Sequence, residues 1–224
     1  MDNYRHEYKY LLNGVTSTIQ QIRAAGLLLP DPHADENGSY TVRSLYFDDL
    51  QDTCLRENRN GTDPRSKFRI RYYGDDLSTL RLEKKSKCRG MTSKESCPLT
   101  PEECTLLIQG QIPATDDPVK LRLFTQLQLR CLSPKVIVTY RRDPYIYPVG
   151  NVRVTFDREL TASSEISRFL TGDYRCRPVL ATGQSLLEVK WDAIMPSHIK
   201  EVLSLEQLGW TAFSKYSMCR IYQR

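Results

Sequence analysis

The 224-residue sequence lacks the features that mark several large classes of protein. No apolar run approaches the ~20 residues that a bilayer-crossing helix needs. The opening segment, MDNYRHEYKYLL, carries charges and tyrosines where a signal peptide needs a continuous apolar stretch. The expected setting is therefore intracellular and cytoplasmic. No Cys-x-x-Cys pair occurs, and the seven cysteines (54, 88, 97, 104, 131, 176 and 219) are odd in number. That argues for scattered reduced thiols, and against a disulfide framework or a zinc site. His6, His33 and His198 have no metal-ligand spacing. No internal repeat, low-complexity segment or dividing linker stands out. One domain spanning 1–224 is expected, long enough to bury a sizeable core.

What the sequence does have is unevenly placed positive charge. Residues 65–95 hold ten Lys and Arg against four acids, an excess of six in a chain whose net charge is +5. Such a concentration points to an anionic partner: nucleic acid, acidic lipid or a phosphate compound. Within it, RSKFRIRYYG (65–74) alternates strictly. As a strand it puts Arg65, Lys67, Arg69 and Arg71 on one face and Ser66, Phe68, Ile70 and Tyr72 on the other. Cations ~6–7 Å apart along one face repel one another.

Other segments repeat the pattern. Arg5, Glu7 and Lys9 share a face in 4–12, opposite Tyr8 and Tyr10. Arg81, Glu83, Lys85 and Lys87 share one in 80–87, and Tyr140 and Arg142 one in 134–142. Arg153, Thr155 and Asp157 alternate with Val152, Val154 and Phe156 in 151–159, as Glu188 and Lys190 do with Leu187 and Val189 in 185–192. With the β-rich run 40–49, these read as antiparallel strands. Helical patterns lie between them. Val15, Ile19 and Ile22 fall at helical spacing in 15–29, with Thr16 or Ser17 as cap. Segment 100–110 opens with Thr100, Pro101 and Glu103 in capping-box order and closes at Gly110. Segments 118–131, 163–170 and 196–209 complete the set. The expectation is an α+β fold with helices outside an antiparallel sheet.

A solvated face explains any one of these strands, since antiparallel sheets commonly show one polar side to water. It explains the set less well, because solvated faces usually mix both signs with Ser, Thr and Gln. A closed barrel with a polar lumen gathers the cations inside instead. Unpaired buried cations are costly, so such a lumen calls for a polyanion. The few carboxylates would then hold a divalent metal bridging phosphate oxygens.

The motifs RHEYKY, SLYFDD, RSKFRIRYYG, LEKK, YRRDPY, VRVTFD, LLEVKW and FSKY, in that order over residues 4–222, resemble the polyphosphate polymerase domain. This is the catalytic domain of the vacuolar transporter chaperone (VTC) complex, a triphosphate tunnel metalloenzyme of the CYTH-like superfamily. The resemblance implies an eight-stranded antiparallel β tunnel. It also implies transfer of the γ-phosphoryl group of ATP to polyphosphate or pyrophosphate, with Mn²⁺ or Mg²⁺.

By motif, Lys9, Arg69, Arg71, Lys85, Arg142 and Arg153 would be catalytic. Lys94, Tyr140, Ser214 and Lys215 would bind phosphate or nucleotide, joined by Lys67 and Lys190 on the same faces. Ser214 and Lys215 are expected near a tunnel mouth. Glu188 resembles the metal-binding glutamate. Glu7 and Glu83 are either further metal ligands or partners of neighbouring cations. Relatives carry a basic residue shortly before the Asn-Gly of NRNGTDP. Asn58, flanked by Arg56 and Arg59, occupies the aligned position, so Arg59 is taken as the nearest counterpart.

Hydrolases of this superfamily carry Glu-x-Glu-x-Lys on the first strand. Here Arg5 replaces the first Glu, which favours the polymerase over a tripolyphosphatase or nucleoside triphosphatase. A polyanion-binding module without catalysis is the non-enzyme alternative. Nucleic acid is not expected, because no recognition motif occurs and Tyr72 alternates away from the cations. The SPX domain and membrane segment that accompany this domain in the fungal complex are not in the sequence. A membrane partner would be another chain.

Overall fold

In a computed structural model of the protein, residues 4–222 are described. In chain order its strands are β1 (His6–Leu12), β2 (Leu29–Pro30), β3 (Tyr40–Asp48), β4 (Arg65–Tyr73), β5 (Asp76–Cys88), β6 (Met91–Pro98), β7 (Ser133–Tyr147), β8 (Val152–Ser163), β9 (Arg177–Pro178) and β10 (Ser185–Trp191). The helices are α1 (Gly14–Leu27), α2 (Thr53–Arg59), α3 (Pro101–Ile108), α4 (Pro118–Arg130), α5 (Ser197–Val202) and α6 (Lys215–Tyr222). Eight long strands form one antiparallel sheet in the order β1-β10-β8-β7-β3-β4-β5-β6; β2 pairs with β7 and β9 with β8. The sheet curls until its two edges meet at a single bridge. There the Arg5 amide donates to the Thr92 carbonyl at 2.9 Å, and the Thr92 amide to Arg5 at 3.1 Å.

Alternation sets the two faces. On β4, Phe68, Ile70 and Tyr72 join an outer core with Leu80 and Leu82 of β5 and with Leu107 of α3 and Leu123 of α4. The Tyr72 hydroxyl donates to the Phe169 carbonyl at 2.7 Å, so this ring packs the wall. A second outer core joins Tyr10, Val154, Phe156, Leu187 and Val189 to Ala24 of α1 and Ile199 of α5. The expected capping box of α3 forms between Thr100 and Glu103.

Four local expectations change. The cap of α1 is Asn13, whose side chain accepts from the Thr16 amide; neither Thr16 nor Ser17 fills that role. Val15, Ile19 and Ile22 face outward, whereas Ser17, Gln20 and Ala24 are buried. Segment 163–170 forms a 3₁₀ turn (Ile166–Thr171), and 196–209 holds only the short α5 and a second turn at Leu205–Gln207. Helices do not all lie outside: α6 packs on the concave face. There Phe213, Tyr216 and Cys219 meet Val42, Tyr46, Val136, Val138 and Tyr140, which are inward positions of β3 and β7.

Candidate active site

The inward faces supply what the alternation promised. Two connected cavities lie on the concave side, an outer one of about 340 Å³ and an inner one of about 60 Å³. Lys9, Lys67, Lys85 and Ser214 line both and form the collar between them. Arg59, Arg65 and Lys87 continue the positive charge into the outer cavity, while Arg69, Arg71, Tyr140, Arg142, Lys190 and Lys215 line the inner one.

Strand register places the counter-charges. Lys9 faces Glu188 across β1–β10, and Arg142 faces Asp157 across β7–β8. Arg142 makes a bidentate pair with Asp157 at 2.6 and 2.8 Å, a strong and oriented arrangement. Lys215, at the first turn of α6, reaches Asp157 and Glu188 at 2.5 Å each. Glu188 also has Lys190 at 3.1 Å and Lys9 and Arg142 at 3.8 Å. Burial alone would raise the Glu188 carboxyl; the ammonium groups of Lys215, Lys190 and Lys9 hold it well below the usual carboxylate range. Asp157 is likewise raised by burial and lowered overall by Arg142 and Lys215. The same two carboxylates push the Lys215 ammonium up against its own burial.

Glu7 accepts from Lys85 at 2.7 Å and has Lys9 and Lys190 at 3.6 Å. Glu83, 1 % exposed, is held by Arg69 at 2.6 Å and Lys94 at 3.1 Å. Glu83 thus stands ion-paired with two cations on the wall of β4–β6. Arg69 also donates to the Tyr46 hydroxyl at 2.8 Å, and Arg71 to Ser44 and Tyr140 at 2.9 and 3.2 Å. The Tyr46 phenol would be raised by burial, yet Arg69, Lys67 and Arg71 bring it down to about 8.

Three sequence-predicted residues stand apart from both cavities: Glu83, Arg153 and Lys94. Arg153 is on the inward face but lines neither cavity; it donates to Asp31 and to the Tyr40 hydroxyl at 2.7 and 2.9 Å. Lys94 lies on β6, half-exposed and engaged by Glu83. Ser214 sits at the collar, but Lys215 lies deeper than the expected mouth, buried in the inner cavity, because α6 enters the concave face by its first turn. Arg5, in place of the hydrolase glutamate, turns away to Asp192 at 2.7 Å.

The motif reading passed over Tyr46, which lines the inner cavity, Asp157, which pairs with Arg142 and Lys215, and Thr155, which stands opposite Glu188 in the β8–β10 register. Asp157 and Thr155 were visible in the alternation of 151–159. Thr155, 2 % exposed, has a buried hydroxyl without a hydrogen-bond partner. Tyr46 gave no signal beyond its place in SLYFDD.

The family model of the VTC domain matches residues 4–222. The chain belongs to the VTC domain family. No curated protein matches it significantly. Among solved structures it is similar to the protein PH1819 of Pyrococcus horikoshii OT3 (12 % identity, 99 % of this chain and 100 % of that one, TM-score 0.52). It is also similar to PH1012 of the same organism (12 %, 96 % and 98 %, TM-score 0.52) and to a candidate adenylate cyclase of Bacillus halodurans (14 %, 92 % and 92 %, TM-score 0.51). What these structures share with the chain is the fold, a curled antiparallel eight-stranded sheet with helices around it. Membership of the VTC family supports an enzyme that acts on phosphates. Among the described residues, no helix is long and apolar enough to cross a membrane.

The family's divalent metal can be tested against the donors present. Among the described residues, no three His, Cys, Asp or Glu side chains cluster as a metal cage. Glu188 and Glu7 instead flank Lys9, at 3.8 and 3.6 Å from its ammonium. One or two carboxylates of this kind fit an ion that takes most of its coordination from phosphate oxygens and water, as Mg²⁺ does.

Proposed function

We propose that this VTC-domain chain is a metal-dependent polyphosphate polymerase, transferring the γ-phosphoryl group of ATP to a growing inorganic polyphosphate chain. The observation that carries the reading is the continuity of the basic path. The inner cavity is of a size to hold phosphoryl groups, and the cations run on through the collar into the larger outer cavity. A triphosphate alone would not need that second stretch. The outward turn of Arg5, where a hydrolase carries an inward glutamate, points the same way.

Phosphoryl transfer asks a protein mainly for positioning and charge stabilisation. The bond between the γ-phosphorus and the β–γ bridging oxygen breaks, ADP leaves with the electron pair, and a terminal oxygen of the acceptor chain forms the new bond. Arg69, Arg71 and Arg142 present planar forks suited to the equatorial oxygens, each oriented by a neighbouring carboxylate or hydroxyl. Lys9, Lys85 and Lys190 act as compact charges along the chain, Ser214 meets it at the collar, and Lys215 holds the inner end. Glu188, with Glu7, would hold a Mn²⁺ or Mg²⁺ ion that neutralises phosphate charge when bound. In this reading Arg153 and Lys94 support the wall, and Arg59 meets the chain in the outer cavity.

The test is incubation of purified protein with ATP and Mn²⁺ and a trace of pyrophosphate. Products are resolved on a gel and by free-phosphate assay. Polyphosphate ladders with matching ADP are expected. Free phosphate without chains would make the protein a triphosphatase, and chain binding without either product would make it a polyanion-binding module.

A further inference from the structure

Three lysines stand in one cross-strand row, Lys67 of β4, Lys85 of β5 and Lys94 of β6. Two of them have carboxylates. Lys85 meets Glu7 at 2.7 Å and Lys94 meets Glu83 at 3.1 Å. Lys67 is different. Its ammonium lies 5.6 Å from the ring centre of Tyr46 and 5.4 Å from that of Tyr216, with the Ser214 hydroxyl at 3.5 Å. It occupies the collar between the cavities, where a chain passing from one to the other must run beside it.

We propose that Lys67 is the group through which the tunnel takes up a proton when a triphosphate or polyphosphate chain enters. This rests on the polyphosphate reading of the same site. The groups facing Lys67 are predominantly cationic. They are Lys9 from β1, Arg65 and Arg69 from its own strand, Lys85 from β5, and Lys215 beside Tyr216 on α6, against the two phenols of Tyr46 and Tyr216; α2, packed on β4, adds Arg59, the Cys54 thiol and one carboxylate, Glu57, to the outer cavity that Lys67 also lines. Glu7 is engaged by Lys85, Lys9 and Lys190. Two ring faces stabilise an ammonium, but less than a desolvated anion does.

The consequence for the empty tunnel has a clear sign. Burial lowers the Lys67 ammonium most, Tyr46 partly offsets this, and Lys9, Arg69 and Arg65 lower it further, to about 8. An entering chain brings phosphate oxygens to the collar, and the charged form of the amine becomes favoured. One proton moves from the buffer to the Lys67 Nζ, and no covalent bond changes. The bound amine has the raised affinity for protons, so chain binding is strongest below pH 8 and weakens as pH rises through it.

The experiment is calorimetric titration with inorganic tripolyphosphate, without divalent metal so that no turnover occurs. It is run at pH 8 in buffers of different ionisation enthalpy, and repeated from pH 7 to 9.5. Lys67→Arg keeps a cation that does not titrate. The wild type is expected to take up about half a proton more than Lys67→Arg at pH 8. Its Kd should rise above pH 8 by up to about tenfold per unit relative to the variant. Titration of the ligand itself is common to both proteins and drops out. Should Lys67→Arg fail to fold or bind, Lys67→Gln carries the same comparison, with weaker binding and no excess uptake expected. Equal proton uptake by wild type and variant overturns the assignment. Failure of the wild type to bind tripolyphosphate at any pH overturns the polyphosphate reading beneath it.

Discussion

On the β1, β10, β8 and β7 side of the tunnel, the cavity-lining cations Lys9, Lys190 and Arg142 each have a carboxylate at 3.6 Å or nearer. On the β3–β4 side, Lys67 and Arg71 are met by rings and hydroxyls. Arg69, reaching over to Glu83 of β5, is the link between the two styles. The first wall resolves its charge when the chain folds, because buried cations without counter-ions cost too much otherwise. The second leaves positive charge for something that arrives later. One sheet thus combines a structural ion network with a receptive surface.

The comparison breaks most visibly at Asp157. Asp157→Ala leaves Arg142 and Lys215 buried beside a missing partner, and a loss of about 3–5 kcal/mol is expected in urea unfolding. Asp157→Asn, which keeps shape and hydrogen bonding, should lose less. If the alanine variant is as stable as wild type, the first wall is not a folding network.

The next effect is functional. Glu188→Gln should abolish metal-dependent turnover while the protein remains folded; full activity would remove Glu188 from the metal.

Acid separates the walls further. The carboxyls of Glu7, Glu188 and Asp157 are depressed in the folded protein, so the unfolded chain binds protons first as pH falls. Their stabilisation is complete above about pH 4.5 and is lost below it. Asp157→Asn should flatten that slope in a pH series of unfolding curves, whereas variants of Lys67 or Tyr46 should not.

A smaller change is expected at Tyr46, whose hydroxyl accepts from Arg69. Tyr46→Phe should cost about 1 kcal/mol, read as a roughly fivefold fall in kcat/KM, with the tunnel intact. An unchanged kcat/KM would show that Glu83 alone orients Arg69. Smallest is Thr155→Val. The hydroxyl has no partner, so stability should move by no more than about 0.5 kcal/mol. A fall in turnover without a fall in stability would place that hydroxyl against a phosphate.

Much of this wall was legible because period-two alternation survives folding. Lys67, Arg69 and Arg71 face the cavities and Phe68, Ile70 and Tyr72 the outer core, as the string RSKFRIRYYG requires. Strand β6 escaped notice because MTSKESCP is polar on both sides, and only its neighbour β5 makes it a strand. Helix α1 shows a different limit. Val15, Ile19 and Ile22 mark a helix by spacing, but spacing does not say which side the sheet lies on. The buried side is instead the one where Ser17 bonds Ser185 at 2.7 Å. Helices α2 and α6 are too short for periodicity to announce. The depth of Lys215 followed from where α6 packs, which FSKY alone does not contain.

The meeting of β1 and β6 gives the tunnel a mechanical character. Seven interfaces along the wall are full ladders, and the eighth is one bridge at Arg5 and Thr92, reinforced by the Lys85–Glu7 pair. Net of solvent, two backbone hydrogen bonds contribute on the order of 1–3 kcal/mol. The tube is therefore a ribbon held round by a single clasp, and its bore is set where it is cheapest to change, at the seam.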